Sequence, residues 1–163
     1  MTRFVFTFLN GITLSGLYFL VASGLTLIFG LMRVINLAHG AFYLLAAYVS
    51  WTFVDKSHNW VIGAIVSSLL LAIVGTLLYL ILLRKFQYEE LRVSLITLGI
   101  ALVLAQLMLA IFGGEYYQTN IPKPLAFSVP IPGIDLSYPF FRIFVLLLAI
   151  AIGMALWIFI SKT

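Results

Sequence analysis

Asn36, His39, Gly40 and Tyr43 are the residues of this chain whose types and spacing could do chemistry. They stand at i, i+3, i+4 and i+7, so a helix would carry an amide, an imidazole, a phenol and a gap for close backbone approach on one face. A lipid-facing helix has no use for such a face; something must pack on it or pass beside it. The chemistry open to it is narrow. The second histidine, His58, belongs to the polar turn Asp55-Lys56-Ser57-His58-Asn59, so His39 has no axial partner for a haem. The chain contains no H-E-x-x-H, no Walker loop and no Gly-x-Ser-x-Gly. With no cysteine there is no disulfide, no thiol chemistry and no cysteine metal site. No catalytic residue, metal site or cofactor is therefore expected.

The elements that must hold this face are read from the composition. Of 163 residues 64% are hydrophobic and 9% charged, with a mean hydropathy of +1.19, whereas soluble domains run near a quarter charged. The charges are bunched. They leave five long uncharged windows, Phe4–Met32, Val34–Val54, Asn59–Leu83, Val93–Gly114 and Ile143–Ser161, each near the ~20 residues that cross a ~30 Å hydrocarbon core. The expected fold class is all-α: a polytopic helical membrane protein of about five transmembrane helices in a single transmembrane domain. No Asp or Glu falls within a window, which weakens proton- or sodium-coupled transport. What remains is a passive conduit or half of a machine powered elsewhere. The net charge of +4 comes from cations at helix ends, where they meet lipid headgroups. It does not imply a nucleic-acid partner.

Small residues mark the expected packing faces. Gly16, Gly24 and Gly30 interrupt the first window, Thr97, Ala101 and Ala105 recur every four residues in the fourth, and Ala149 and Gly153 pair in the fifth. Gln106 lies well inside the fourth window, and an amide there is expected to face a neighbouring helix. Between the first two windows, Leu31 to Leu37 contains no Gly or Pro. Either the turn is very tight or the second segment begins as a broken or re-entrant piece, which is tolerated where backbone is buried in protein or lines an aqueous cavity.

Trp51 and Trp60 flank the Asp55–Asn59 turn as interface anchors. The long connection from Glu115 to Tyr138 holds four prolines, which forbid a continuous helix, and Phe127 to Ile134 is expected to form a short extended hairpin. The turn from Arg84 to Arg92 carries three Lys/Arg, the most basic short loop of the chain. The positive-inside bias puts it in the cytoplasm. If all five windows cross, the amino terminus and the proline-rich loop lie outside and the carboxyl end is cytoplasmic.

The stretch Gly24-Leu25-Thr26-Leu27-Ile28-Phe29-Gly30-Leu31-Met32-Arg33-Val34-Ile35-Asn36-Leu37-Ala38-His39-Gly40-Ala41-Phe42-Tyr43 resembles the membrane permease subunits of bacterial branched-chain amino acid ABC importers. Ile96-Thr97-Leu98-Gly99-Ile100 through Gln106 and Ile111-Phe112-Gly113 resembles the fourth-span pattern of that family, and Trp157 through Lys162-Thr163 the opening of its cytoplasmic coupling loop. Family members are nearly twice as long, so the resemblance implies the amino-terminal half of a longer permease. It further implies the inner membrane of a bacterium, a second permease subunit, cytoplasmic ATPase subunits that bind the nucleotide, and a periplasmic amino acid-binding protein. On that reading Asn36, His39, Gly40 and Tyr43 either line a translocation path with the helix break beside it, or form a polar packing motif. A permease of the same family for urea or another small amide shares the signature. A helical membrane assembly subunit with no conduit is the alternative from a different class.

Overall fold

The computed structural model describes residues 2–32, 35–130 and 137–162. Five helices follow one another: α1 (Thr2–Met32), α2 (His39–Ser57), α3 (Trp60–Leu78), α4 (Glu90–Phe112) and α5 (Phe140–Lys162). Between α3 and α4 lie a π-helical turn, Tyr79–Leu83, and a 3₁₀ turn, Arg84–Phe86. Between α4 and α5 a two-stranded antiparallel ladder pairs β1 (Ser128–Pro130) with β2 (Ser137–Pro139). Among the described residues four helical segments are long and apolar enough to cross a membrane: Arg3–Gly30, Trp60–Phe86, Glu90–Phe112 and Phe140–Lys162. The chain is an all-α polytopic membrane protein. α2 is less apolar than these four, because it opens with His39-Gly40 and closes with Asp55-Lys56-Ser57. Its 19 residues still span about 28 Å at 1.5 Å per residue.

The chain forms two compact units, Met1–Thr26 with Ile121–Thr163, and Leu27–Asn120. In the first, α1 and α5 approach through small residues. A Cβ on Gly16 would lie 3.2 Å from Leu146 Cδ1 and 3.6 Å from Ala149 Cβ, and one on Gly153 would lie 3.0 Å from the Phe19 ring. Ala149 is buried accordingly. β2 is fastened to α1 by Tyr138, whose phenol oxygen stands 2.8 Å from Thr13 Oγ1 and 3.1 Å from the Leu9 carbonyl. Arg142 donates to Asn10 Oδ1 beside it. The expected hairpin from Phe127 to Ile134 is a real ladder, but its return strand starts later, at Ser137; Pro132, Gly133 and Ile134 lie outside the described residues. Phe140 N–H donates to the Phe127 carbonyl at 2.9 Å, and the two rings stack 4.4 Å apart.

In the second unit α2 and α3 form a tight helical hairpin. His58 takes a left-handed conformation (φ 53°) that ends α2, and Asn59 Oδ1 accepts the Val61 N–H at 3.0 Å to start α3. The helices then close on Gly63. A Cβ there would sit 2.5 Å from Val54 Cγ2 and 2.8 Å from the Ser50 carbonyl oxygen. α4 ends at Gly113, whose φ of 74° favours glycine.

A candidate transport cavity in the second unit

The turn before α2 is built by Asn36. Its Oδ1 accepts the Ala38 N–H at 3.0 Å, its carbonyl accepts the His39 N–H at 3.2 Å, and Ala38 O then accepts the Phe42 N–H at 3.0 Å. An asparagine side chain that bonds backbone two residues on replaces the missing Gly or Pro. Between the first two windows the described residues 35–38 form a turn, and α2 runs unbroken from His39 to Ser57; Arg33 and Val34 lie outside the described residues. The shared helical face is corrected by this turn. Asn36 precedes the helix, so its side chain does not stack in the i, i+3, i+4, i+7 row. His39, Gly40 and Tyr43 remain on the first turns of α2, with Tyr43 exposed and a Cβ at Gly40 meeting nothing within 4 Å.

Thr97 ties this turn to α4. It is 1% exposed, its Oγ1 accepts the Leu37 N–H at 3.1 Å, and its hydroxyl donates to the Ser94 carbonyl at 2.9 Å. The expected stripe of Thr97, Ala101 and Ala105 does not stay on this face. Ala101 is half-buried, and Ala105 and Gln106 are exposed. A four-residue repeat drifts about 40° per step on a helix of 3.6 residues per turn, so Ala105 rotates out and Met108 is buried instead. Of the first-window glycines, Gly24 is half-buried, and Gly30 is exposed with open space where a Cβ would stand.

Beside the turn lies a cavity of about 280 Å³. Asn36, Ala38 and Phe42 wall it on one side, Gly75, Thr76, Leu78, Tyr79 and Leu83 on another, Thr97 and Ile100 on the third, and Ile28 completes it. Among the described residues no charged side chain lines it, and the polar groups are one amide, two aliphatic hydroxyls and one phenol, set among aliphatic walls. Two irregularities meet here: the Asn36 turn and the π-helical turn that begins at Tyr79. π turns occur mostly as single insertions in α-helices, frequently at functional sites. Sequence reasoning named Asn36 and Thr97, noted Gly63 without giving it a packing role, and missed Tyr79. The signal for Gly63 was present, as a glycine three residues into a span behind a sharp turn. The signal for Tyr79 was not, because a π turn has no reliable composition.

Aromatic residues close the other end of this unit. Tyr48 stacks on Phe112 at 4.3 Å, Trp51 packs on Tyr117 at 4.3 Å, and the Tyr117 hydroxyl donates to the Phe112 carbonyl. Trp51 is thus held by a side-chain cluster.

Residues 7–163 match the family described as "Branched-chain amino acid transport system / permease component". The high-affinity branched-chain amino acid transport system permease protein LivH of Escherichia coli (strain K12), and that of Salmonella typhimurium (strain LT2), are 42% identical over 45 residues, 28% of this chain and 15% of the relative. BraD of Pseudomonas aeruginosa, likewise named as a permease protein of such a system, is 38% identical over 42 residues, 26% of this chain and 14% of that protein. The aligned stretches thus span less than a fifth of these relatives. No solved structure matches. Because the family match runs nearly end to end, across both compact units, the chain belongs to the permease components of branched-chain amino acid transport systems.

Proposed function

We propose that this chain is a transmembrane permease subunit of an ABC importer that moves branched-chain amino acids across the inner membrane of a bacterium. The observation that carries the proposal is the family match over residues 7–163. The cavity supports it. A branched aliphatic body suits the Ile28, Phe42, Leu78, Leu83 and Ile100 walls, and neutral dipoles from Asn36, Thr76, Tyr79 and Thr97 meet its polar groups. A conduit needs binding favourable enough to enter and weak enough to leave. Neutral dipoles among aliphatic walls suit that need.

On this reading Asn36 frames the cavity, and His39, Gly40 and Tyr43 form the first turns of the helix behind it. Transport is driven by separate cytoplasmic ATPase subunits, with a second permease subunit beside this chain in the bilayer and a periplasmic amino acid-binding protein delivering substrate. The Arg84–Arg92 turn faces the cytoplasm and the proline-rich loop faces outside. The test is uptake by the chain assembled with its ATPase, partner permease and binding protein in liposomes. ATP-dependent uptake of labelled leucine, isoleucine and valine is expected. Uptake of urea with none of these amino acids would overturn the substrate assignment, and a correctly assembled complex that moves neither would overturn the permease role.

A further inference from the structure

We propose that Tyr79, tethered by Gln87, closes the second unit's cavity on the side of the Arg84–Arg92 turn, a positioning role that rests on the cavity being a passage. Tyr79 lines the cavity and opens the π-helical turn Tyr79–Leu83. Its hydroxyl donates to Gln87 Oε1 at 3.2 Å, eight residues further along the chain. In a continuous α-helix residues eight apart lie about 12 Å apart along the axis, beyond the reach of one hydrogen bond. The contact therefore depends on the π turn, the 3₁₀ turn Arg84–Phe86 and the reversal at Phe86, whose carbonyl accepts the Glu89 N–H at 2.8 Å.

The far end of the tether is itself held. Arg92 pairs with Glu89 at 2.9 Å and lies 4.8 Å above the Phe86 ring, with Lys85 5.7 Å from the same ring. Gln87 thus sits in an ordered turn, while the cavity walls deeper in the unit are Gly75, Thr76 and Ile100. The cavity residues of α3, Gly75, Thr76 and Leu78, lie in its last turn, and those of α4, Thr97 and Ile100, lie seven and ten residues past Glu90. Along the chain Tyr79 and Leu83 are the lining residues nearest the Arg84–Arg92 turn, so a molecule leaving toward it would pass them. The phenol–amide bond is neutral at both ends, so opening it exposes no buried charge. A change in the Arg84–Arg92 turn would move Gln87 and release the ring, which links that surface to the passage.

The chain has no cysteine, so a single Ile100→Cys reports on access to the cavity. The probe is a membrane-impermeant, charged thiol reagent applied from the Arg84–Arg92 side to the assembled transporter without nucleotide. Slow labelling is expected with Tyr79 and Gln87 intact. Tyr79→Phe and Gln87→Leu, which each remove the same bond, should speed it by similar factors of about two to ten, the range one neutral hydrogen bond can shift an equilibrium. Tyr79→Ala should speed it further, and Gln87→Glu, which keeps an acceptor, should leave it slow. Unchanged labelling in both Tyr79→Phe and Gln87→Leu would overturn the proposal. So would equal acceleration from the opposite side, the mark of a loosened fold. Labelling needs no uptake, so a failure of the gate and a failure of the transport assignment are read separately.

Discussion

The amide of Leu37 and the hydroxyl of Thr97, sixty residues apart, meet at 3.1 Å. This bond joins the turn that starts α2 to the buried face of α4, and its acceptor is only 1% exposed. Removing the acceptor leaves a part-buried backbone N–H without this partner. Thr97→Val, close in shape, should therefore cost about 1–2 kcal/mol, while Thr97→Ser should cost less because it keeps the oxygen. Unfolding in mixed detergent micelles measures both. Equal stability of the valine variant and the parent would remove this bond from the account.

Gly63 and Gly40 should respond in opposite directions to alanine. At Gly63 the new Cβ would stand 2.8 Å from the Ser50 carbonyl oxygen, part of a backbone that cannot turn aside, and 2.5 Å from Val54 Cγ2. Overpacking of this kind costs about 1–3 kcal/mol. At Gly40, helical and open, alanine should be neutral or stabilise by up to about 1 kcal/mol. The same unfolding assay on both variants checks the contrast.

Tyr138→Phe should destabilise the first unit. The lost hydroxyl stands among Thr13, Leu9 and Asn10, and the residue is 3% exposed. Thr13 keeps its bond to the Leu9 carbonyl, so the loss should be near 1 kcal/mol. Tyr116→Phe, at a residue 89% exposed, is the control and should change melting little.

His39 separates a hydrogen-bonding role from proton transfer. If it bonds, His39→Gln keeps assembly and much of the uptake in the complete transporter, and His39→Leu impairs assembly. Equal loss of uptake in both variants with normal assembly would make His39 a working residue in transport.

Single cysteines at Tyr88 and Ser128, both exposed, should label from opposite sides of the membrane. Labelling of both from the same side would end the proposed orientation.

Much of this was legible in the chain itself. Long apolar windows with charges only between them dictate membrane helices, because backbone polar groups in hydrocarbon must be satisfied within the segment. The windows found the helices to within a few residues, except where α2 begins at His39 rather than Val34. The reason is local: the Asn36 side chain caps backbone that a periodicity argument had assigned to the helix. Gly16, Ala149 and Gly153 could be named from residue size alone, and so could Thr97 as a polar residue in a span. What one-dimensional spacing could not decide is which turn of a helix meets a neighbour. Ala105 faces outward in this chain because a four-residue stripe drifts around a 3.6-residue helix, Gln106 because nine residues past Thr97 put it on the opposite side of α4, and Gly63 is the tightest glycine approach among the described residues because of the direction in which the His58–Asn59 turn sends α3. The Tyr79–Gln87 bond and the cavity behind it exist only after a π turn, a 3₁₀ turn and a reversal have been placed in succession. That geometry belongs to the fold, since no residue type along the way requires it.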